Sequence, residues 1–222
     1  MSPSRVFNEA EKQELERRML EMAVPLLEKY GMTHMSVDKI TSAVGIGKST
    51  FYNFFSSKEE YVNRALDMNR MLILRQLDEK YPADRKMKPR ELFEFLNNIL
   101  GSDSIYRKFA PEDERKLYEA DKAIGKDLDL EREKMISRFI FSHVEGVKSE
   151  EELDYALITN LVKLTQIAYE NEYLFHDSAM ERMQTTLKKK LCEICIKDEY
   201  QDEVMNYLDE YEKEITDKKK GE

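Results

Sequence analysis

Glycine, proline, tryptophan and cysteine are scarce in this chain of 222 residues. There are seven glycines, five prolines, two cysteines and no tryptophan. So few turn-forming residues argue against a protein built from many short strands, whereas the abundant Glu, Lys, Leu and Met favour helices. Two cysteines cannot make a disulfide framework, so we expect a reducing compartment. The composition predicts an all-α fold.

Long apolar runs are missing as well. No run approaches the ~18 residues that are needed to span a membrane. Charged side chains interrupt the first 25 residues, which excludes the apolar core of a secretory signal peptide there. We therefore expect a cytoplasmic protein without a membrane partner.

Charge is distributed unevenly along the chain. The net charge of -9 argues against a general binder of polyanions. Residues 31–58 nevertheless hold three lysines against Asp38 alone, whereas residues 198–222 hold ten acidic residues against four lysines. Any contact with nucleic acid is therefore expected near the N-terminal end.

Apolar periodicity predicts a succession of helices. A helix over about 15–30 contains Pro25, which should bend or divide it, and Gly31, which should end it. Capping residues and apolar spacing predict further helices. The first three cover about 36–44, 48–55 and 58–80. Two more begin at Pro89 and at Pro111, and another covers about 126–145. The last ones begin at Ser149 and at Ser178 and cover the final stretch of the chain.

The string GIGKST, residues 45–50, looks like the end of a phosphate-binding loop. Such a loop requires G-x-x-x-x-G-K-[ST], because backbone N–H groups of an extended glycine-rich segment surround the phosphates. The required first glycine falls on Ser42, and the preceding residues have helical and not strand periodicity. A nucleotide-binding protein that uses GIGKST remains an alternative, which magnesium-dependent nucleotide binding lost in Lys48→Ala would support.

Two short helices joined by a glycine-containing turn are typical of a helix-turn-helix, whose second helix enters the DNA major groove. At 100° per residue, Phe51, Phe54 and Phe55 share the inner face of that second helix. The other side carries hydroxyl, amide and ammonium groups, which reach base edges and phosphates. They belong to Lys48, Ser49, Thr50, Tyr52 and Asn53.

Residues 19–60 resemble the DNA-binding domain of the TetR family of bacterial transcriptional regulators. The matching segments are MLEMAVPLLEKYG and SVDKITSAVGIGKSTFYNFFSSKEE, which follow the family's order of helices and turn. The resemblance implies a non-enzymatic regulator. It also implies which residues contact DNA. Ser36, which caps a helix, Tyr52 and Lys58 would contact the DNA backbone. Lys48 would begin the recognition helix, on which Ser49, Thr50 and Asn53 would face the bases.

Two positions depart from the family pattern. Gly47 stands where the family commonly has a serine or threonine cap, and Asp38 stands where a basic residue is common. Both departures are expected to weaken phosphate affinity without removing the fold. A capping change is worth only ~1 kcal/mol, and glycine is itself an acceptable cap.

The resemblance implies two domains. Residues 1–57 would form a three-helix helix-turn-helix domain, and a long connecting helix would join it to a helical ligand-binding and dimerisation domain over residues 58–222. It further implies a homodimer on a palindromic double-stranded DNA operator, paired through about 150–175 and 179–197 as a four-helix bundle. The alternative is that these apolar faces only build the monomer core.

A small-molecule effector is also implied, bound between the helices of the C-terminal domain and releasing a repressor from its operator. Each aromatic candidate for contact with such an effector also suits an ordinary core or surface position. The candidates are Phe95, Tyr118, Phe139, His143, Tyr169 and Tyr173.

Other chemistry has little support in the sequence. Cys192 and Cys195 have the C-x-x-C spacing of zinc or redox sites, but no second pair or βαβ context accompanies them. Two buried thiols are favoured, and the alternative of a thiol-redox protein requires a lowered thiol pKa. The three histidines are far apart, so we expect no metal, cofactor or catalytic site. Lys188, Lys189 and Lys190 are expected on a solvated helix face.

Overall fold

A computed structural model describes residues 8–100, 109–123 and 130–221. Regular structure within these ranges is helical and contains no strand, which confirms the predicted all-α class; only two isolated bridges pair extended residues, Met87 with Val144 and Val147 with Ile196. The helices are α1 (Glu9–Glu21), α2 (Ala23–His34), α3 (Val37–Val44), α4 (Lys48–Tyr52), α5 (Lys58–Lys80), α6 (Pro89–Leu100), α7 (Pro111–Ala123), α8 (Leu130–Ser142), α9 (Tyr155–Glu170), α10 (Asp177–Cys195) and α11 (Asp198–Gly221), with a 3₁₀ helix at Glu172–Leu174.

The first predicted helix is divided, as Pro25 indicated. α1 ends at Glu21 and α2 begins at Ala23, so the proline lies in the first turn of α2, where its missing N–H has no intrahelical partner to lose. Gly31 has φ 64° and ψ 165°, so the chain leaves helical geometry there.

The chain forms two compact units. The first contains Met1–Ile73 and Lys108–Asp127, and the second contains Leu74–Arg107 and Leu128–Glu222. The division falls inside α5, which runs unbroken from Lys58 to Lys80. The functional boundary between residues 57 and 58 stays a prediction.

The first unit includes α7. The sequence predicted a helix beginning at Pro111 but did not indicate that it belongs to this unit. The Thr33 hydroxyl donates to Asp113 Oδ2 at 2.8 Å, and the buried Asn63 amide donates to the Leu117 carbonyl at 2.8 Å. These hydrogen bonds attach α7 to α2 and α5, because buried polar groups require partners. The core around them is apolar, with Met19, Leu27, Met32, Met35, Ile40, Phe51, Phe55, Tyr61 and Val62 almost fully buried.

The second unit has its own apolar core. α10 and α11 pack along each other, and residues from α5, α6 and α9 complete the cluster. Gly146 turns the chain with φ 65°, close to the ring of Tyr200. The buried members of the core include Leu77, Met87, Leu92, Phe93, Val144, Ile158, Leu191, Cys192, Ile196, Val204 and Leu208.

Two predicted helix starts are wrong. Glu152 does accept from the Ser149 N–H at 2.9 Å, but this bond closes a turn, and α9 begins at Tyr155 after its cap Asp154, which accepts from Leu157 N–H at 3.0 Å. α10 begins at Asp177 and not at Ser178. A short capping pattern also suits a turn, so it does not fix a helix start by itself.

Two predicted helix ends are wrong as well. The helix predicted over 126–145 ends at Ser142, because the backbone of the next residues bonds to Met87 and to Lys197. Its predicted beginning, 126–129, lies outside the described residues. α4 ends at Tyr52 and not at residue 55, with Asn53 and Phe54 in a turn.

Lys188 is also misplaced by the sequence pattern. It is buried inside the second unit, whereas Lys190 is exposed. Three consecutive helical residues span about 200° of the helix surface, so they cannot all share one solvated face.

Candidate nucleic-acid interface

α3 and α4 are joined by a turn that two glycines shape. Ser36 caps α3 as predicted, and its hydroxyl accepts from the Lys39 N–H at 3.3 Å. Gly45 has φ 76° and ψ 39°, a left-handed conformation that glycine adopts without strain, and it ends α3. Gly47 has φ -85° and ψ 157° and precedes α4 without a side-chain cap.

An aromatic cluster fixes the inner side of α4. Phe51, Phe55 and Tyr61 are buried, with ring centroids 5.1 to 5.6 Å apart. The Tyr61 hydroxyl donates to the Met19 carbonyl at 2.7 Å, and burial raises the pKa of this phenol. Phe54 is only half-buried, so two of the three predicted phenylalanines are buried, and Tyr61 of α5 packs against both of them. α4 is therefore held against α1 and α5.

The outer side of α4 carries the predicted contact residues. Lys48, Ser49 and Asn53 are exposed, and Tyr52 is 54% exposed. Thr50 is half-buried, and Ser36 is exposed at the start of α3. The structure thus presents hydroxyl, amide and ammonium groups along one short helix, the kinds of group that reach base edges and phosphates.

Lys48 already has an anionic partner within the chain. Its Nζ lies 2.9 Å from Asp38 Oδ1, and both side chains are exposed. The hydrogen bond and charge of Asp38 raise the pKa of the Lys48 ammonium. The sequence marked Asp38 only as an acidic residue where a base is common. The structure shows that the Asp38 carboxylate forms an ion pair with the Lys48 ammonium at the start of α4.

Two further lysines point at the C-terminal end of α2. Lys58 Nζ donates to the Met32 carbonyl at 2.9 Å. Lys39 Nζ donates to the His34 carbonyl at 2.8 Å and lies 4.0 Å from the centre of the Tyr30 ring. The contact of Lys58 with a DNA backbone stays a prediction. Lys39 had no predicted role, since only its charge could be counted from the sequence.

The six aromatic ligand candidates are divided between the two units. Phe95 and Phe139 are half-buried against the core of the second unit, and the His143 ring centroid lies 4.7 Å from that of Phe139. His143 Nδ1 is 2.7 Å from the Phe139 carbonyl oxygen, and Nε2 is 3.0 Å from Asp78 Oδ1. A ligand role for these three residues stays a prediction.

The other three candidates lie elsewhere. Tyr118 is exposed on α7 in the first unit, and Tyr173 is 73% exposed in the 3₁₀ helix. Tyr169 is half-buried on α9, with its ring centre 6.0 Å from Lys188 Nζ. A ligand role for these three also stays a prediction.

GIGKST does not have the geometry of a phosphate-binding loop. Its glycines end α3 and precede α4, and the segment before it is a helix and not a strand. Gly45 and Ile46 both donate to the Thr41 carbonyl, so their N–H groups do not surround a phosphate. The phosphate-loop alternative loses its structural basis.

The two thiols do not have the properties of a redox site. Cys192 and Cys195 are both buried, and burial raises the pKa of each to about 12. A redox or nucleophilic cysteine requires the opposite change. Within 8–100, 109–123 and 130–221, no group of three or more His, Cys, Asp or Glu residues could hold a metal. No described helix is long and apolar enough to cross a bilayer.

Comparison with known proteins gives one family. Residues 19–65 match the model described as bacterial regulatory proteins, tetR family. This match contains all seven predicted DNA-contacting residues. A crystal structure of a gamma-butyrolactone receptor (ArpA like protein) is similar over 91% of this chain and 98% of that chain, with 12% identity and a TM-score of 0.45. No curated protein matches the chain.

Proposed function

We propose that this protein, whose residues 19–65 match the tetR family of bacterial regulatory proteins, is a repressor that a small molecule releases from a palindromic operator. It is a DNA-binding transcriptional regulator and not an enzyme under this proposal. The observation that carries it is the exposed polar face of α4, which Phe51 and Phe55 hold from behind. Ser49, Thr50 and Asn53 would face the bases, and Ser36, Tyr52 and Lys58 would contact the DNA backbone.

A homodimer is part of the proposal because α4 has only five residues. One helix of that length buries too little surface for specificity, whereas a two-fold dimer doubles the contacts on a palindrome. α9 supports dimerisation, since Leu157, Leu164 and Ile167 lie along one side of it and are exposed in the monomer. Large exposed apolar patches mark interaction surfaces.

α10 differs from α9 in what it exposes. The side that faces solvent carries Arg182, Thr186 and Lys190, spaced four residues apart. α9 and α10 are the helices in the predicted dimerisation ranges 150–175 and 179–197. A dimer interface formed by them would therefore have an apolar stripe at its centre and polar groups at its rim. That arrangement is typical of protein interfaces.

Release from DNA requires a ligand that prefers the conformation unable to bind the operator. Its differential affinity for the two states sets how far the equilibrium moves. α5 is the element proposed to transmit this change, because it begins six residues after α4 and continues as one helix to Lys80. The change would alter the spacing of the two recognition helices in the dimer.

The test begins with selection of bound sequences from random DNA by the wild-type protein. A palindromic site is expected, bound by a dimer in sedimentation, with an affinity that falls steeply as salt rises. The double variant Lys48→Ala with Tyr52→Ala should lose binding while its helical circular dichroism is unchanged.

Lys12→Ala is the matched control for charge. Lys12 is half-exposed on α1, where it pairs with Glu9 at 2.6 Å, so its loss removes one cation of the same unit outside the proposed face. Equal binding by the double variant and the control would remove α4 from the mechanism. If a folded wild-type dimer selects no DNA, the proposed function is wrong.

A further inference from the structure

The interior of the second unit contains a small group of polar side chains among apolar ones. Thr165 on α9 and Gln184 and Lys188 on α10 are each at most 5% exposed. Gln184 and Lys188 are one helical turn apart and therefore share a side of α10. Buried polar groups are normally paired, so each unpaired atom in such a group requires an explanation.

Lys188 is the charged member of this group. Its ammonium forms no hydrogen bond or ion pair with any described residue. Two aromatic rings lie near this ammonium, those of Tyr169 at 6.0 Å and Tyr211 at 5.2 Å from Nζ. Burial lowers the pKa of Lys188 to about 8, and the negative charge of Glu181 opposes this shift. A buried cation without an anion is rare in proteins because removing its hydration is unfavourable.

Gln184 has the complementary deficiency. Its Nε2 donates to the Thr165 carbonyl at 3.2 Å, but its Oε1 is buried and has no hydrogen-bond partner. The Thr165 hydroxyl cannot supply a donor, because it bonds back to the Leu161 carbonyl at 3.0 Å. The cluster therefore holds a cationic donor without an acceptor and, one turn away, an acceptor without a donor.

The two tyrosines complete the surroundings of Lys188. Both are half-buried, and each ring lies near the ammonium. Rings in this position offer apolar surface to a ligand that approaches the lysine. Tyr169 is also one of the six aromatic residues that the sequence marked as ligand candidates.

We propose that Lys188, Gln184 and the rings of Tyr169 and Tyr211 bind the effector, and that this effector is a small organic carboxylate that carries a hydroxyl group beside an apolar group. The carboxylate pairs with Lys188 Nζ, the hydroxyl donates to Gln184 Oε1, and the apolar part packs on the two rings. One ligand would thus satisfy both unpaired groups. This inference rests on the proposed function, since it names the chemical class of the molecule that releases the operator.

Mandelate is a suitable probe because it combines a carboxylate, a neighbouring hydroxyl and a phenyl ring. Phenylacetate lacks the hydroxyl, and methyl mandelate lacks the negative charge. Titration calorimetry on the full chain should show mandelate binding at least about tenfold more tightly than methyl mandelate, since one well-placed charged hydrogen bond contributes that much. Mandelate should also bind more tightly than phenylacetate.

Variants assign these preferences to residues. Lys188→Met should remove the preference for the anion, and Gln184→Leu should remove only the preference for mandelate over phenylacetate. Lys190→Met is the matched control, since Lys190 lies two residues along the same helix but is exposed and pairs with Glu193 at 2.8 Å. It should bind as the wild type does. Lys188→Gln provides a second test of the charge if the methionine variant does not fold.

DNA binding on the same preparations separates this inference from the proposed function. Mandelate should weaken operator binding by the wild type and leave that of Lys188→Met unchanged. The inference is overturned if the wild type shows no preference for the anion, or if Lys188→Met and Lys188→Gln keep that preference. Intact operator binding in that case would leave the proposed function standing, whereas anion binding without any DNA binding would overturn the proposed function alone.

Discussion

Replacement of Lys188 by methionine should stabilise the protein, which is unusual for a substitution in a core. Lys188 is only 5% exposed and forms no ion pair with a described residue, and burial lowers its pKa from 10.5 to about 8. Since a change of one in pKa corresponds to 1.36 kcal/mol, the buried charge destabilises the fold by on the order of 3 kcal/mol near neutral pH. Methionine has a similar length and no charge, so it should fill the same space.

Loss of the aromatic contacts reduces this gain. The ammonium lies 5.2 Å from the Tyr211 ring centre and 6.0 Å from that of Tyr169, and a cation over an aromatic ring contributes about 0.5–2 kcal/mol. The expected net stabilisation is therefore about 1–3 kcal/mol. A group that lowers stability but stays in place is typical of a functional site.

The gain should depend on pH in a defined direction. Below pH 8 the lysine is protonated in both the folded and the unfolded chain, so the full penalty applies. Between about pH 8 and pH 10.5 the unfolded chain binds more protons than the folded one, so the free energy of unfolding of the wild type rises with pH. The advantage of the variant should therefore shrink by about 2 kcal/mol between pH 7 and pH 9.5, because the charge penalty falls from about 3.4 to about 1.4 kcal/mol.

Urea denaturation of both proteins at these two pH values measures the effect. Above about pH 9, Cys192 and Cys195 make the free energy of unfolding fall as pH rises, because the pKa of each thiol is raised in the folded chain. This contribution is the same in both proteins, so it cancels in the difference between their free energies of unfolding. Lys190→Met should leave the free energy of unfolding unchanged at both pH values. A variant that is less stable than the wild type at pH 7, or an advantage that does not change with pH, would refute the reasoning.

Three further predictions concern local geometry. Gly47→Ser should raise the free energy of unfolding by about 0.5–1 kcal/mol in urea, because φ is -85°, an added Cβ meets only Ser49 Oγ at 3.8 Å, and serine caps a helix. Gly146→Ala should lower it by more than about 1 kcal/mol, since φ is +65° and the added Cβ would overlap the Tyr200 ring, whose Cε2 would lie 2.7 Å away. Cys192 and Cys195 should not react with a disulfide reagent at pH 8 until urea unfolds the protein, because both are buried with a raised pKa.

Each of these has an outcome that contradicts it. A serine at position 47 that leaves stability unchanged would mean that α4 has no need of a cap. An alanine at position 146 that folds with full stability would mean that the turn can relax. Rapid reaction of either thiol in the native protein would restore the redox alternative.

The helix-turn-helix could be predicted because its determinants are local. Ser36, Gly45 and Gly47 act within one or two turns of their own positions, and the apolar spacing of Phe51 and Phe55 fixes the inner face directly. The capping pattern at Ser149 was equally local but misleading. Its hydrogen bond to Glu152 forms in a turn, and Asp154 caps the helix instead.

Long-range contacts could not be predicted in the same way. Asp113 joins α7 to the first unit through Thr33, 80 residues away, and no periodicity indicates such a pair. The pairing of Asp38 with Lys48 also depends on the angle between α3 and α4. Burial of Lys188 is hidden in a run of three lysines, because composition alone cannot say which of them faces the core.

The claim that the exposed face of α4 binds DNA is tested most directly by operator affinity as a function of salt for three proteins. These are the wild type, Lys48→Ala and Asp38→Asn. Asp38→Asn frees the Lys48 ammonium, which the carboxylate now holds at 2.9 Å, so it should bind the operator more tightly. Its logarithmic salt slope should steepen by up to about 0.9, the value for one added phosphate contact. Lys48→Ala should bind more weakly with a shallower slope, and identical affinities and slopes for all three proteins would contradict the claim.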